Sequence, residues 1–141
     1  MSSQIKLKSN FFQIFLFHGV IKKKKFKIRN YNNKHLLENY FYKIIKNLKD
    51  NGKALSMDEV IFIKKNKKKF PKKSFVITFD DGYKSIIKNA LDFLNKKNIP
   101  YILFVCPSKL LSNSKDYMSL IELKELVKMK NVYIGSHSYN H

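Results

Sequence analysis

The chain has 141 residues, enough for one domain with a real core but short of the ~250 typical of a closed α/β barrel. Its single cysteine, Cys106, excludes an intramolecular disulfide framework, and no apolar run reaches the ~20 residues needed to span a bilayer. The formal charge of +19 leaves a polyanion-binding surface open as a function class.

Phe11 to Phe17 is a continuous apolar run, as expected of a strand buried on both faces. The run on to Val20 contains Gln13 and His18 and lacks a small-residue cleavage site, so it does not read as a secretory signal. Basic loop residues follow to about Asn33. Leu36 to Leu48 reads as a helix, because Leu37, Tyr40, Phe41, Ile44, Ile45 and Leu48 recur at steps of three and four. Asn51-Gly52 fits a left-handed helix end. A short segment, Ala54 to Phe62, precedes a lysine-rich loop carrying Pro71.

Phe75 to Phe79 is the clearest strand, and Asp80-Asp81-Gly82 follows it directly. Tyr83 to Lys97 is predicted as a helix with Tyr83, Ile86, Ile87, Ala90, Leu91 and Leu94 on one face. Tyr101 to Val105 is a buried strand closed by Pro107. Ser119 opens a helix with a capping box to Glu122, with Met118 placed to staple onto Leu123, and the helix is expected to run to about Lys130. Val132 to Gly135 is the last strand. Strands alternating with helices predict an α/β fold with a parallel sheet and crossover helices, in which functional groups gather at the C-terminal strand ends.

The charge is concentrated in lysine runs such as Lys22-Lys23-Lys24-Lys25 and Lys64-Lys65-Asn66-Lys67-Lys68-Lys69. These runs lack interleaved aromatics for base stacking, and arginine occurs only at Arg29. They read as solvated loops and helix faces rather than as a specific nucleic-acid interface. Weak attraction to anionic glycans or membranes follows from the charge alone.

Two strings at strand ends carry chemistry. Asp80 and Asp81 are adjacent, so their side chains leave the strand end in different directions; one can bind a cation while the other faces water and substrate. Asp-Gly is also ordinary turn chemistry. His137 and His141 lie four apart and converge on one ion if the segment is helical or tightly turned. Two imidazoles and one carboxylate suit zinc and leave coordination positions open.

These strings resemble the polysaccharide deacetylases of the NodB type, carbohydrate esterase family 4. Thr78-Phe79-Asp80-Asp81-Gly82 matches the family's TFDDG motif, and His137-Ser138-Tyr139-Asn140-His141 its H-[S/T]-x-x-H motif. Leu16-Phe17-His18-Gly19-Val20, Gly82-Tyr83-Lys84-Ser85 and Ile134-Gly135-Ser136-His137 are similar to members as well. The resemblance implies a partial (β/α) barrel cut off after the second motif, forming one incomplete domain over residues 1–141 with its motif-bearing core at about 70–141. It implies Asp80 as general base and Asp81, His137 and His141 as ligands of a divalent ion, usually zinc. A backbone amide near Tyr83 would be the oxyanion donor, Ser138 would fix the histidine loop, and His18 would line the mouth of the site or serve as a buried structural residue. His35 has no assigned role.

The implied reaction is metal-dependent removal of N-acetyl, or less often O-acetyl, groups from a polysaccharide or glycan precursor. The family's later arginine motif, Asp/Trp segment and Leu-x-His acid have no counterpart before His141, and acid catalysis of amine departure is typically worth about 10²–10⁴-fold. Two alternatives therefore stand beside the enzyme: an inactive front half that needs a C-terminal partner, and a basic polyanion- or nucleic-acid-binding module. The last strand would then be an exposed edge. Relatives often act outside the cytoplasm, whereas the missing export signal favours a cytoplasmic chain.

Overall fold

A computed structural model describes residues 5–22 and 34–141. Lys23, Lys24, Lys25 and Arg29 lie outside the described residues, so the first lysine run and the loop expected there have no structural account. In chain order the elements are β1 (Gln13–Phe17), β2 (Gly19–Ile21), β3 (His35–Leu37), α1 (Glu38–Asn51), β4 (Lys53–Ala54), α2 (Met57–Lys65) and β5 (Ser74–Phe79). A π-helical stretch (Ile87–Leu91) then runs into α3 (Asp92–Lys96), followed by β6 (Tyr101–Val105), α4 (Pro107–Leu110), α5 (Leu120–Val127) and β7 (Val132–Ser136).

The sheet is entirely parallel, with strand order β1-β5-β6-β7 and β4 also paired to β5. β2 and β3 make a separate parallel pair. The fold is thus the α/β architecture that the alternation predicts, with helices linking parallel strands.

Side chains alternate across the sheet with period two, which divides the strands into two faces. Phe75, Ile77, Phe79, Tyr101 and Leu103 point to one face and form the main core with Phe41, Ile45 and Leu48 of α1, Ile86, Ala90, Leu91 and Leu94, and Leu126 of α5. Phe79 meets the rings of Phe17, Phe41 and Tyr101. Val76 and Ile102 point to the other face and join a smaller cluster with Leu55 and Ile63.

Several local expectations change. β1 is not buried on both faces: Ile14 is 62% and Leu16 54% exposed, because among the described residues little lies above the second face of β1, which pairs with β5 at the edge of the sheet. Leu36 and Leu37 belong to β3, and helix α1 starts at Glu38. Gly52 is extended (φ −158°), not left-handed. Its requirement is space, since a Cβ there would lie 2.3 Å from both Leu7 Cδ1 and the Lys73 carbonyl. The segment after it contains α2, capped by a reciprocal Ser56–Glu59 box. Tyr83 precedes its helix and forms an isolated antiparallel bridge with Tyr117. The Ser119–Glu122 capping box is present as expected, but α5 stops at Val127, short of Lys130.

Candidate metal and catalytic site

β5 delivers the paired carboxylates. Asp80 continues the strand, its N–H donating to the Phe17 carbonyl at 2.9 Å. It keeps the parity of Val76 and Thr78, so it faces the second side of the sheet. The chain then turns sharply, with Asp81 at φ +70° and Gly82 at φ +72°. Asp tolerates this left-handed conformation better than most residues, and glycine adopts it freely. The turn sends the Asp81 carboxylate inward, where its side chain is 1% exposed.

β7 delivers the histidines. The His137 N–H donates to the Val105 carbonyl at 2.9 Å, extending the β6–β7 ladder by one bond. The segment after it is tightly turned rather than helical. Ser138 has φ +59°, and its Oγ accepts from the His141 N–H at 3.0 Å. The Ser108 N–H holds the loop through the Tyr139 carbonyl at 3.1 Å.

The four residues meet. His141 Nε2 lies 3.3 Å and His137 Nε2 3.9 Å from Asp81 Oδ1, and His137 Nε2 is 3.8 Å from Asp80 Oδ2. The two imidazoles cross edge-on at 4.8 Å between centroids. One ligand atom from each of Asp81, His137 and His141 falls within a 4.8 Å cluster. The donor set, one carboxylate and two imidazoles, is of the type that takes zinc or a related divalent ion. Among the described residues, the buried Asp81 Oδ2 makes no hydrogen bond, and Lys34 Nζ lies 3.8 Å from it.

Two lysines that sequence reading passed over complete the electrostatics. Lys109 Nζ, from α4, donates to Asp81 Oδ1 at 2.8 Å, and Lys34 Nζ lies 3.8 Å from Asp81 Oδ2. Burial works to raise the Asp81 pKa, but the Lys109 hydrogen bond and charge, with His141 and Lys34 behind them, hold it below the ordinary carboxylate value. Burial works to lower the Lys109 pKa, and Asp81 outweighs it and raises the ammonium's pKa. No pattern in the chain marks these two among so many lysines; only the fold brings them to Asp81.

Tyr83 is stacked on Tyr117 (4.9 Å), and its hydroxyl pKa is raised by burial and then by hydrogen bonding to Tyr117. In the Tyr83–Tyr117 bridge the bonds run from the Lys84 N–H to Asp116 and from the Met118 N–H to Gly82. The Lys84 amide is therefore spent, and the Tyr83 amide takes no part in that pair. His18 follows β1 and is half-buried. Burial, then the Lys34 charge, lowers its pKa against the opposing pull of Asp81 and Asp80. His35 is buried in β3, with its ring edge-on to Tyr83 at 4.6 Å.

Beside the carboxylates runs a groove of about 430 Å³. Ile14, Leu16, Val76, Ile102 and Phe104 form its apolar floor, and Asp80 and His137 stand at one end. No helix of the described residues is long and apolar enough to cross a membrane.

Comparison with known proteins points to one family. The polysaccharide deacetylase family model matches residues 67–141. A poly-beta-1,6-N-acetyl-D-glucosamine N-deacetylase of Staphylococcus aureus is 33% identical over 123 residues, which cover 86% of this chain and 40% of that protein. Among solved structures, IcaB from Ammonifex degensii superposes with a TM-score of 0.78 at 20% identity, covering 96% of this chain and 56% of its own. A de-N-acetylase from Aggregatibacter actinomycetemcomitans gives a TM-score of 0.77 at 22% identity, covering 92% and 55%. The chain spans about two fifths of the length of the curated relatives it matches.

Proposed function

The chain belongs to the polysaccharide deacetylase family, and from that premise we propose that it carries the ion-binding and base-bearing part of a hydrolase that removes N-acetyl groups from a hexosamine polymer. A polymer of β-1,6-linked N-acetylglucosamine is the proposed substrate class, after the S. aureus relative. The observation that carries the reading is the convergence of His137 and His141 on the buried Asp81, with Asp80 beside them and facing the groove.

Asp81, His137 and His141 would hold a divalent ion, and zinc suits the donor set. When bound, such an ion supplies carbonyl polarisation and a water of lowered pKa. Asp80 is the proposed general base: it takes a proton from water as the water oxygen attacks the acetamide carbon. The Tyr83 amide, outside the bridge bonds, is the proposed donor to the developing oxyanion. Collapse then breaks the C–N bond as the proton that Asp80 took from water passes to the nitrogen, releasing acetic acid and a free amine. His18, half-buried after β1, is the proposed residue lining the mouth.

The test is a paired substitution read by two measurements, zinc binding and acetate release from N-acetylglucosamine oligomers. Asp81→Ala should lose zinc and activity together. Asp80→Asn should retain zinc and lose activity. Zinc bound by Asp81→Ala as tightly as by the parent sinks the ligand assignment.

A further inference from the structure

The Asp81 oxygen nearest both imidazoles is already occupied by a cation of the protein's own. Lys109 Nζ sits 2.8 Å from Oδ1, closer than His141 Nε2 at 3.3 Å or His137 Nε2 at 3.9 Å. The lysine is held there structurally. α4 begins at Pro107, the Lys109 N–H donates to the Cys106 carbonyl at 3.0 Å, and its carbonyl accepts from Ser112 Oγ at 2.7 Å. Its side chain is only 19% exposed. The second oxygen, Oδ2, has no hydrogen bond among the described residues, and Lys34 stands off at 3.8 Å. Lys109 is thus the one ammonium among the described residues that makes a hydrogen bond to this carboxylate.

We propose that Lys109 is the resident counter-cation of the metal-free site, and that ion uptake proceeds by exchange against it. The inference rests on the reading of Asp81, His137 and His141 as ligands. A buried carboxylate without a partner is costly, so a protein that must wait for its ion needs a substitute charge. An ammonium on a flexible four-carbon stem is suited to the task, since it can withdraw without moving the backbone. The Tyr117 ring supports the ammonium in this same position, with Nζ 5.2 Å from the ring centroid while it bonds Asp81. Lys109 and a divalent ion repel each other when both approach Oδ1, so the lysine lowers ion affinity while it supports the metal-free fold. It is a positioning residue: it acts through Asp81 and touches no reacting atom.

The experiment measures zinc affinity of the full chain at pH 7.5 by competition with a chelating dye, alongside melting of the metal-free protein. Lys109→Met and Lys109→Gln should bind zinc at least tenfold more tightly than the parent. The Gln variant keeps an N–H donor without the charge, so it separates electrostatics from hydrogen bonding and guards against a Met variant that does not fold. Both should melt lower without metal and gain more from added zinc. Lys109→Arg keeps the charge and should stay within about threefold of the parent. Unchanged or weaker zinc binding in the Met and Gln variants overturns the exchange role while leaving the ligand assignment intact. Absence of zinc binding in the parent and in every variant overturns the ligand assignment and the exchange role together.

Discussion

The two faces of the sheet are made by alternate residues of the same strands, yet they carry different tasks. On one face Phe75, Ile77, Phe79, Tyr101 and Leu103 are sealed beneath α1, the π-helical stretch with α3, and α5. On the other, Ile14, Leu16, Val76, Ile102 and Phe104 floor a groove, and that floor ends at Asp80 and His137. The first face packs against helices throughout the main core; the second packs in part, with Val76 and Ile102 buried against Leu55 and Ile63 while Ile14 and Leu16 stay exposed. Period-two alternation makes the division sharp: Phe79 and Asp80 are neighbours in sequence, one in the core and the other in the groove.

The largest expected effect breaks the sealed face. Phe79→Ala removes a ring 1% exposed that contacts three other aromatics, and such truncations cost about 3–5 kcal/mol. The matched change on the open face, Leu16→Ala, should cost under ~1 kcal/mol, because the side chain is already half in water. Urea unfolding of both variants checks the contrast. A Leu16→Ala cost as large as that of Phe79→Ala would mean that the open face is covered in solution.

Gly19→Ala probes the region where the two faces meet the site. A Cβ there would fall 1.9 Å from His35 Nδ1 and 2.9 Å from Ser85 Oγ. His35 is buried against Tyr83 and has little room to yield. Overpacking of this kind costs about 1–3 kcal/mol. Thermal melts should show that loss, and the His35 ring resonances should shift, while Ile14→Ala, on the open face, should leave them in place.

The features that the sequence made legible are those set by local rules. The TFDDG and HSYNH strings, the β5 and β6 strands and the Ser119–Glu122 box each depend on a few adjacent residues, and the structure places them where the pattern indicates. Membership of the family was legible from the same strings. What escaped depends on distant partners. Gly52 looked like a left-handed cap, but its reason is the approach of Leu7 and Lys73 from elsewhere in the chain. Ile14 and Leu16 read as buried because an apolar run does not reveal whether a second layer lies over it. Lys109 and Lys34 carry no signal at all, since their meaning is a distance to Asp81.

The smallest expected effect concerns the layer that seals the covered face. Helix α5 contributes Leu126 to the core and begins at the Ser119–Glu122 box, where Lys84 Nζ lies 2.8 Å from Glu122 Oε1. Burial works to raise the Glu122 pKa, but the Lys84 hydrogen bond and those from Ser119 outweigh it and hold it below its ordinary value of 4.5. A depressed folded-state pKa stabilises the fold above the unfolded value near 4.5, and that contribution fades as pH falls through the folded one. Glu122→Gln keeps an acceptor for Ser119 and drops the charge, so it should cost roughly 0.5 kcal/mol at pH 7, the scale of a partly exposed pair. Urea unfolding at descending pH should show the gap between parent and variant closing below about pH 4.5. A gap that persists in acid would assign the role of Glu122 to packing and hydrogen bonding, and the sealed face would then owe nothing to charge at that end.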